Sequence, residues 1–260
     1  MVKGLDTFRR RFRDFDRSFL LIGGAACHEW FASQGLHFRA TRDLDIVLVV
    51  EMLDAAFVAE LRRFVADGGY ALQYRTDGSP VLYRFDKPAH PDFPHMLELF
   101  SRHPKGIFND LDQHIMAIPH DPGHHSLSAI LLEQDYYELL LRDREIRDGL
   151  PYAGATALMA LKARAWLDLT ERRRQGESVD LKNIHKHRTD VFRLATTLTA
   201  RAAFEVSPPV RRDLNLFLQA FPDDAMEWPA IMDALQVMLP SKFRPAELRE
   251  AVQTHFGLSG

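Results

Sequence analysis

Cysteine is nearly absent: Cys27 stands alone in 260 residues. No disulfide can form within the chain, which suits a reducing cytoplasm. Cys27 lies in an apolar stretch and reads as a small packing residue in preference to a reactive thiol. Long apolar runs are missing too. No stretch approaches the roughly 20 apolar residues of a membrane span. The N-terminus is charged as far as Arg17, and the apolar run beyond it is too short for a signal peptide. The expectation is a soluble, cytoplasmic protein without a membrane partner. A Walker loop, a GxGxxG fingerprint and a GxSxG elbow are also lacking, which removes the commonest nucleotide-binding and hydrolase signatures. Neither sign of charge dominates, with 33 Lys and Arg against 36 Asp and Glu. Near-neutrality does not advertise a nucleic-acid binder, yet a basic face can coexist with an acidic one.

Apolar residues make up 46% of the chain, enough for a real core. The length predicts one large domain or two unequal ones. Leu5, Phe8, Phe12 and Phe15 recur at helical spacing, with Arg9, Arg10, Arg11 and Arg13 between them as a solvated face or a basic edge. Residues 18–22 read as a short strand, and Gly23-Gly24 turns the chain into a helix from about Ala25 to Gly35. Residues 44–50, LDIVLVV, predict a buried strand. Asp54 is placed to cap a helix over 54–67 that Gly68-Gly69 ends. YALQYR and VLYRF, joined at Asp77-Gly78, form a hairpin signature, and HMLELFS (95–101) predicts a further strand. From about Tyr152 the pattern turns helical, with breaks at Gln175-Gly176, Ser207-Pro208-Pro209 and Pro222. The layout is α+β: a mixed sheet flanked by helices over 1–150, then a helical domain over 151–260.

Alternate residues of a strand share a face, so Asp43 and Asp45 point the same way. Two such charges are costly to bury unless something positive compensates. A divalent cation is the economical answer, since magnesium takes a few carboxylates and lets phosphates complete its shell. The plainer alternative is an exposed strand edge, with the aspartates paired to Arg39 and Arg42. Two features favour the ion. A glycine pair between strand and helix lets backbone N–H groups approach a phosphate at the positive helix end. Glu98 shares a strand face with Met96 and Phe100, an unusual place for an acid. Should its strand lie beside the first, three carboxylates gather as two-metal phosphoryl transfer requires.

GG, a helix, Thr41-Arg42-Asp43-Leu44-Asp45 and a later strand acid together resemble the nucleotidyltransferases of the polymerase-beta-like superfamily. The spacing is similar in particular to AbiEii-type abortive-infection toxins, the nucleotidyltransferase halves of type IV toxin–antitoxin pairs. Ala160-Leu161-Lys162-Ala163-Arg164-Ala165, followed by the stretch from Asp180 to Val191, extends the likeness over roughly residues 18–195. The resemblance implies two Mg2+ ions on Asp43, Asp45 and Glu98, with an NTP bound by Gly23, Gly24, Thr41 and Lys162. Asp43, Asp45, Glu98 and Lys162 would carry transfer of an NMP to a hydroxyl acceptor, such as RNA or a tRNA end. A cognate antitoxin is the implied partner. Where the family has an acid after the basic residue of the later helix, this chain has Asn183; either Asp180 or Asp190 takes that role, or activity is altered. Where many superfamily members have Gly-Ser, Gly24 offers its N–H alone.

Periodicity singles out Lys162 independently. Ala155, Leu158, Met159, Ala165, Trp166 and Leu169 all fall within about 60° of it on a helical wheel. It either snorkels to water or turns inward toward a triphosphate. His120, His124 and His125 cluster in turn-prone sequence without a companion cysteine or an HExxH pair. The basic run Lys182 to Arg188 is either a solvated face or an RNA contact. A small-molecule nucleotidyltransferase of the aminoglycoside-modifying kind, or a non-catalytic relative that binds nucleotide or a protein partner, are the alternatives.

Overall fold

The computed structural model describes residues 2–74, 80–102, 115–117, 128–199, 203–237 and 243–258. Helix α1 (Leu5–Phe12) leads through a short 3-10 turn to strand β1 (Phe19–Ile22), then α2 (Gly23–Ser33) and β2 (Asp43–Leu48). α3 (Ala55–Gly68) precedes β3 (Ala71–Tyr74), β4 (Pro80–Asp86) and β5 (Met96–Ser101). The short β6 (Ile115–Ala117) and β7 (Ser128–Leu131) follow, then α4 (Gln134–Arg142), β8 (Arg144–Arg147) and β9 (Leu150–Ala153). From there the described elements are helices: α5 (Ala155–Arg174), α6 (Leu181–Ala195), α7 (Pro208–Gln219), α8 (Trp228–Gln236) and α9 (Pro245–Phe256).

The strands form one mixed sheet in the order β3-β4-β5-β2-β1-β9-β8, with β7 alongside β5 and β6 on β7. β2 lies between an antiparallel β1 and a parallel β5. This is the expected α+β class, a mixed sheet followed by a helical C-terminal region. The apolar stripe of α1 explains its docking. Phe8 and Phe12 stack at 4.3 Å, and their edges meet Phe19 of β1 and Phe64 of α3. Asp54 caps α3 as its sequence position predicts, its Oδ1 accepting from the Phe57 N–H at 2.7 Å, and Gly69 ends that helix in the left-handed region.

Several boundaries differ from the sequence expectation. α2 begins at Gly23 rather than Ala25, because the left-handed φ of +65° at Gly23 turns the chain directly from strand into helix. β2 stops at Leu48, where the chain peels away: the Val50 N–H donates to the Tyr137 hydroxyl at 3.2 Å instead of to a strand. α4 and the β8–β9 hairpin have no counterpart in the periodicity reading. The hairpin extends the sheet, since β9 pairs parallel with β1 at Leu21 and Tyr152. The turn at Asp77-Gly78 and the histidines His120, His124 and His125 lie outside the described residues.

Candidate active site

The parallel register of β2 and β5 sets Asp43 opposite Met96 and Asp45 opposite Glu98. Registered residues of neighbouring strands share a face, so Asp43, Asp45 and Glu98 occupy one side of the sheet. Antiparallel β4 continues the row, with Arg84 opposite Glu98. Across three strands the face thus reads Asp45, Glu98, Arg84. Arg84 Nε donates to Glu98 Oε1 at 2.8 Å, and its terminal nitrogen reaches the same oxygen. Glu98 is 9% exposed, while the side chain of Asp43 is 44% exposed and has the His95 Nδ1 at 3.7 Å.

β1 runs beside β2, and its last residue, Ile22, is opposite Asp45. The chain therefore enters α2 at the height of that carboxylate. A Cβ on Gly23 would stand 1.8 Å from Asp45 Oδ2, and one on Gly24 would stand 2.7 Å from Thr41 Oγ1. These two glycines are demanded by close approach, not merely by turn geometry. No side chain caps α2, whose first amides have no partners within their own helix. Burial pushes the Asp45 carboxyl up to about 6, with Glu98 and Asp43 adding repulsion that Lys162 only partly offsets.

The third wall comes from the helical region. Lys162 of α5 is 4% exposed, so it does not snorkel to water; its Nζ lies 3.4 Å from Asp190 Oδ2 of α6. Asp190 is wholly buried and receives two further cations, Arg39 at 3.0 Å and Arg193 at 2.6 Å. Burial alone would raise the Asp190 carboxyl, but Lys162, Arg39 and Arg193 outweigh it and hold it below the usual range. Arg39 and Arg193 both lie over the Phe38 ring, at 5.1 and 5.6 Å. Asp180, the other acid considered for that role, and Asn183 are elsewhere. Asp180 is exposed and caps α6, accepting from the Lys182 N–H at 2.9 Å, and exposed Asn183 accepts from Lys186 Nζ at 3.2 Å. Arg39, offered above as a partner of the strand aspartates, is committed to Asp190.

Sequence reasoning missed Arg84 and Arg193, and it gave Arg39, Lys186 and His187 other places, beside the strand aspartates and in the basic run. Burial, with Lys162 and Lys186 beside it, pushes His187 down to about 3, so its imidazole is neutral at physiological pH. Burial likewise pushes the Cys27 thiol up to about 12, consistent with a packing role. Only the strand register and the α5–α6 packing reveal these neighbours.

Asp43, Asp45 and Glu98 line the sheet with Arg84 beside them, α2 begins next to Asp45, and Lys162, Arg193 and Asp190 cluster on the helices. Among the described residues no three His, Cys, Asp or Glu side chains form a group able to hold a metal ion. The donor chemistry of Asp43 and Asp45 nonetheless fits magnesium, which commonly takes one or two carboxylates and fills its shell with phosphate oxygens and water. As the side chains stand, the third carboxylate, Glu98, is drawn to Arg84.

Fold and site together define an α+β chain with a strand-borne aspartate pair facing a helix N-terminus and a buried lysine–aspartate pair. No family model matches the chain, and no curated protein matches it. Among solved structures it is similar to an antigenic nucleotidyltransferase-like protein from Paracoccidioides brasiliensis. The identity is 15%, over 92% of this chain and 91% of that one, with a TM-score of 0.45. No helix among the described residues is long and apolar enough to cross a membrane.

Proposed function

We propose that the chain is a nucleotidyltransferase that moves an NMP from an NTP to a hydroxyl acceptor and releases pyrophosphate. The observation that carries this reading is the approach of Asp45 to Gly23, which sets a strand carboxylate against the uncapped start of α2. Magnesium, when bound, would supply charge neutralisation at the triphosphate and polarise the attacking hydroxyl. Asp43 and Asp45 would hold it, and Glu98 would complete the shell nearer the attacking hydroxyl and help accept its proton. Gly23, Gly24 and Thr41 would cradle the phosphates, and Lys162 would neutralise them. The acceptor oxygen attacks the α-phosphorus, the bond from that phosphorus to the bridging oxygen breaks, and pyrophosphate leaves.

Within that chemistry, the AbiEii-like motif order favours an RNA acceptor, notably a tRNA 3′ end, and a toxin role opposed by a cognate antitoxin. The ion pair between Lys162 and Asp190 supports it, because it supplies an acid for the motif lysine despite Asn183. Incubating the full chain with α-labelled NTPs, Mg2+ and either total RNA or aminoglycosides tests the proposal. Label in RNA with pyrophosphate release, both lost in Asp45→Ala, is expected. Label in the aminoglycosides instead would replace the acceptor, and label in neither would sink the reading.

A further inference from the structure

The sheet face that carries the carboxylates also carries Arg84. Arg84 is in register with Glu98, which is in register with Asp45, so the three side chains stand in a row across β4, β5 and β2. Both Arg84 donors fall on Glu98 Oε1. The Glu98 side chain is 12% exposed, whereas the Arg84 side chain remains 43% exposed. Opening the pair therefore returns the guanidinium to water at little cost but leaves Glu98 in want of another cation. Arg84 also feels Asp45, whose negative charge, like that of Glu98, stabilises the guanidinium.

We infer that Arg84 occupies the place of a second cation, limiting the nucleotide-free protein to one divalent ion on Asp43 and Asp45 until the Glu98 pair opens. This rests on the reading of Asp43 and Asp45 as cation ligands. Geometry supports it. Both Arg84 donors are spent on Glu98, which leaves Asp43 and Asp45 for a first ion. A second ion would need Glu98, and so the opening of its pair with Arg84. Arg84 then makes full loading depend on the opening of that pair. Its position on the strand next to the acid makes it a positioning residue acting through Glu98.

Titrating the full chain with Mn2+ alone, without nucleotide, tests this by calorimetry and by the paramagnetic signal of the bound ion. Wild type is expected to take up one ion. Arg84→Met is expected to take up a second, or to bind Mn2+ at least about tenfold more tightly, because a competing positive charge is gone. Adding Glu98→Gln to Arg84→Met is expected to cancel that gain. Should Arg84→Met not fold, Glu98→Gln alone serves: the freed guanidinium turns toward Asp45 and weakens Mn2+ uptake, and unchanged uptake overturns the inference. Two ions in wild type, or an Arg84→Met titration identical to wild type at one ion, would overturn the role of Arg84 only. No uptake by either protein would overturn the ligand assignment of Asp43 and Asp45 as well.

Discussion

Replacing Asp45 with Asn should make the metal-free protein more stable and its chemistry worse, and the stability gain should depend on pH. Asp45 titrates near 6 in the folded chain against 3.8 for the free carboxyl, because burial and the neighbouring acids Glu98 and Asp43 disfavour its charge. A carboxyl raised on folding costs stability when ionised. The cost is absent below about pH 4, grows between about pH 4 and 6, and is complete above that. The full shift corresponds to a ceiling of about 3 kcal/mol, which solvent at the partly exposed site reduces to about 1–2 kcal/mol. For a chain of this size that is a rise in Tm of roughly 3–6 °C. The assay is thermal unfolding of wild type and Asp45→Asn in EDTA from pH 4 to 8, followed by the same scans with Mg2+. The variant should lead at pH 7–8, lose its lead near pH 4, and gain less from Mg2+ than wild type. A variant less stable than wild type at pH 8, or a difference that ignores pH, would falsify the reading of Asp45 as a strained carboxylate awaiting a cation.

Two other substitutions probe the remaining walls. Asp190→Ala leaves buried Lys162 and Arg193, and half-buried Arg39, without their shared anion and should cost about 3–5 kcal/mol, a fall in Tm on the order of 10 °C. The Asp190 carboxyl is depressed on folding, so its contribution is present above the unfolded value of 3.8 and fades in acid; the gap in Tm should narrow below pH 4, and a gap unchanged there counts against the ion cage. Gly23→Ala and Gly35→Ala both force a side chain into the left-handed region, at roughly 1–2 kcal/mol each. Only at Gly23 does the new Cβ meet the Asp45 carboxylate, whereas Gly35 has open space. Transfer measured with labelled NTP should therefore fall about 100-fold in Gly23→Ala and hold in Gly35→Ala; equal activities would show that the close approach does not matter.

Much of the fold was legible because local chemistry and tertiary packing agree. The stripe of Leu5, Phe8 and Phe12, the Asp54 cap and the glycine stop at Gly69 each carry their own reason in sequence. The strand that bears Glu98 was readable from alternation alone. The β8–β9 hairpin was missed although its signal is present. Asp148-Gly149 joins Arg147 to Leu150 with positive φ at both turn residues, the geometry favoured by a two-residue hairpin. The apolar stretch that follows reads equally as the start of a helix, which hid the strand β9.

The sequence by itself determined which residue types stand at which strand and helix positions: two aspartates on one face, a glutamate on another strand, a lysine inside an apolar stripe. Periodicity fixes side-chain direction within an element, so these followed from spacing. Only the tertiary structure decided who meets whom. Glu98 comes to Asp45 through a parallel register set by strands 53 residues apart, and Arg84 comes to Glu98 through an antiparallel one. Asp190, rather than Asp180 or Asn183, reaches Lys162 because it lies on the inner face of α6, while the other two lie at its exposed start. Cross-element pairing depends on register and helix rotation, which are set by the whole core, and no local pattern encodes it.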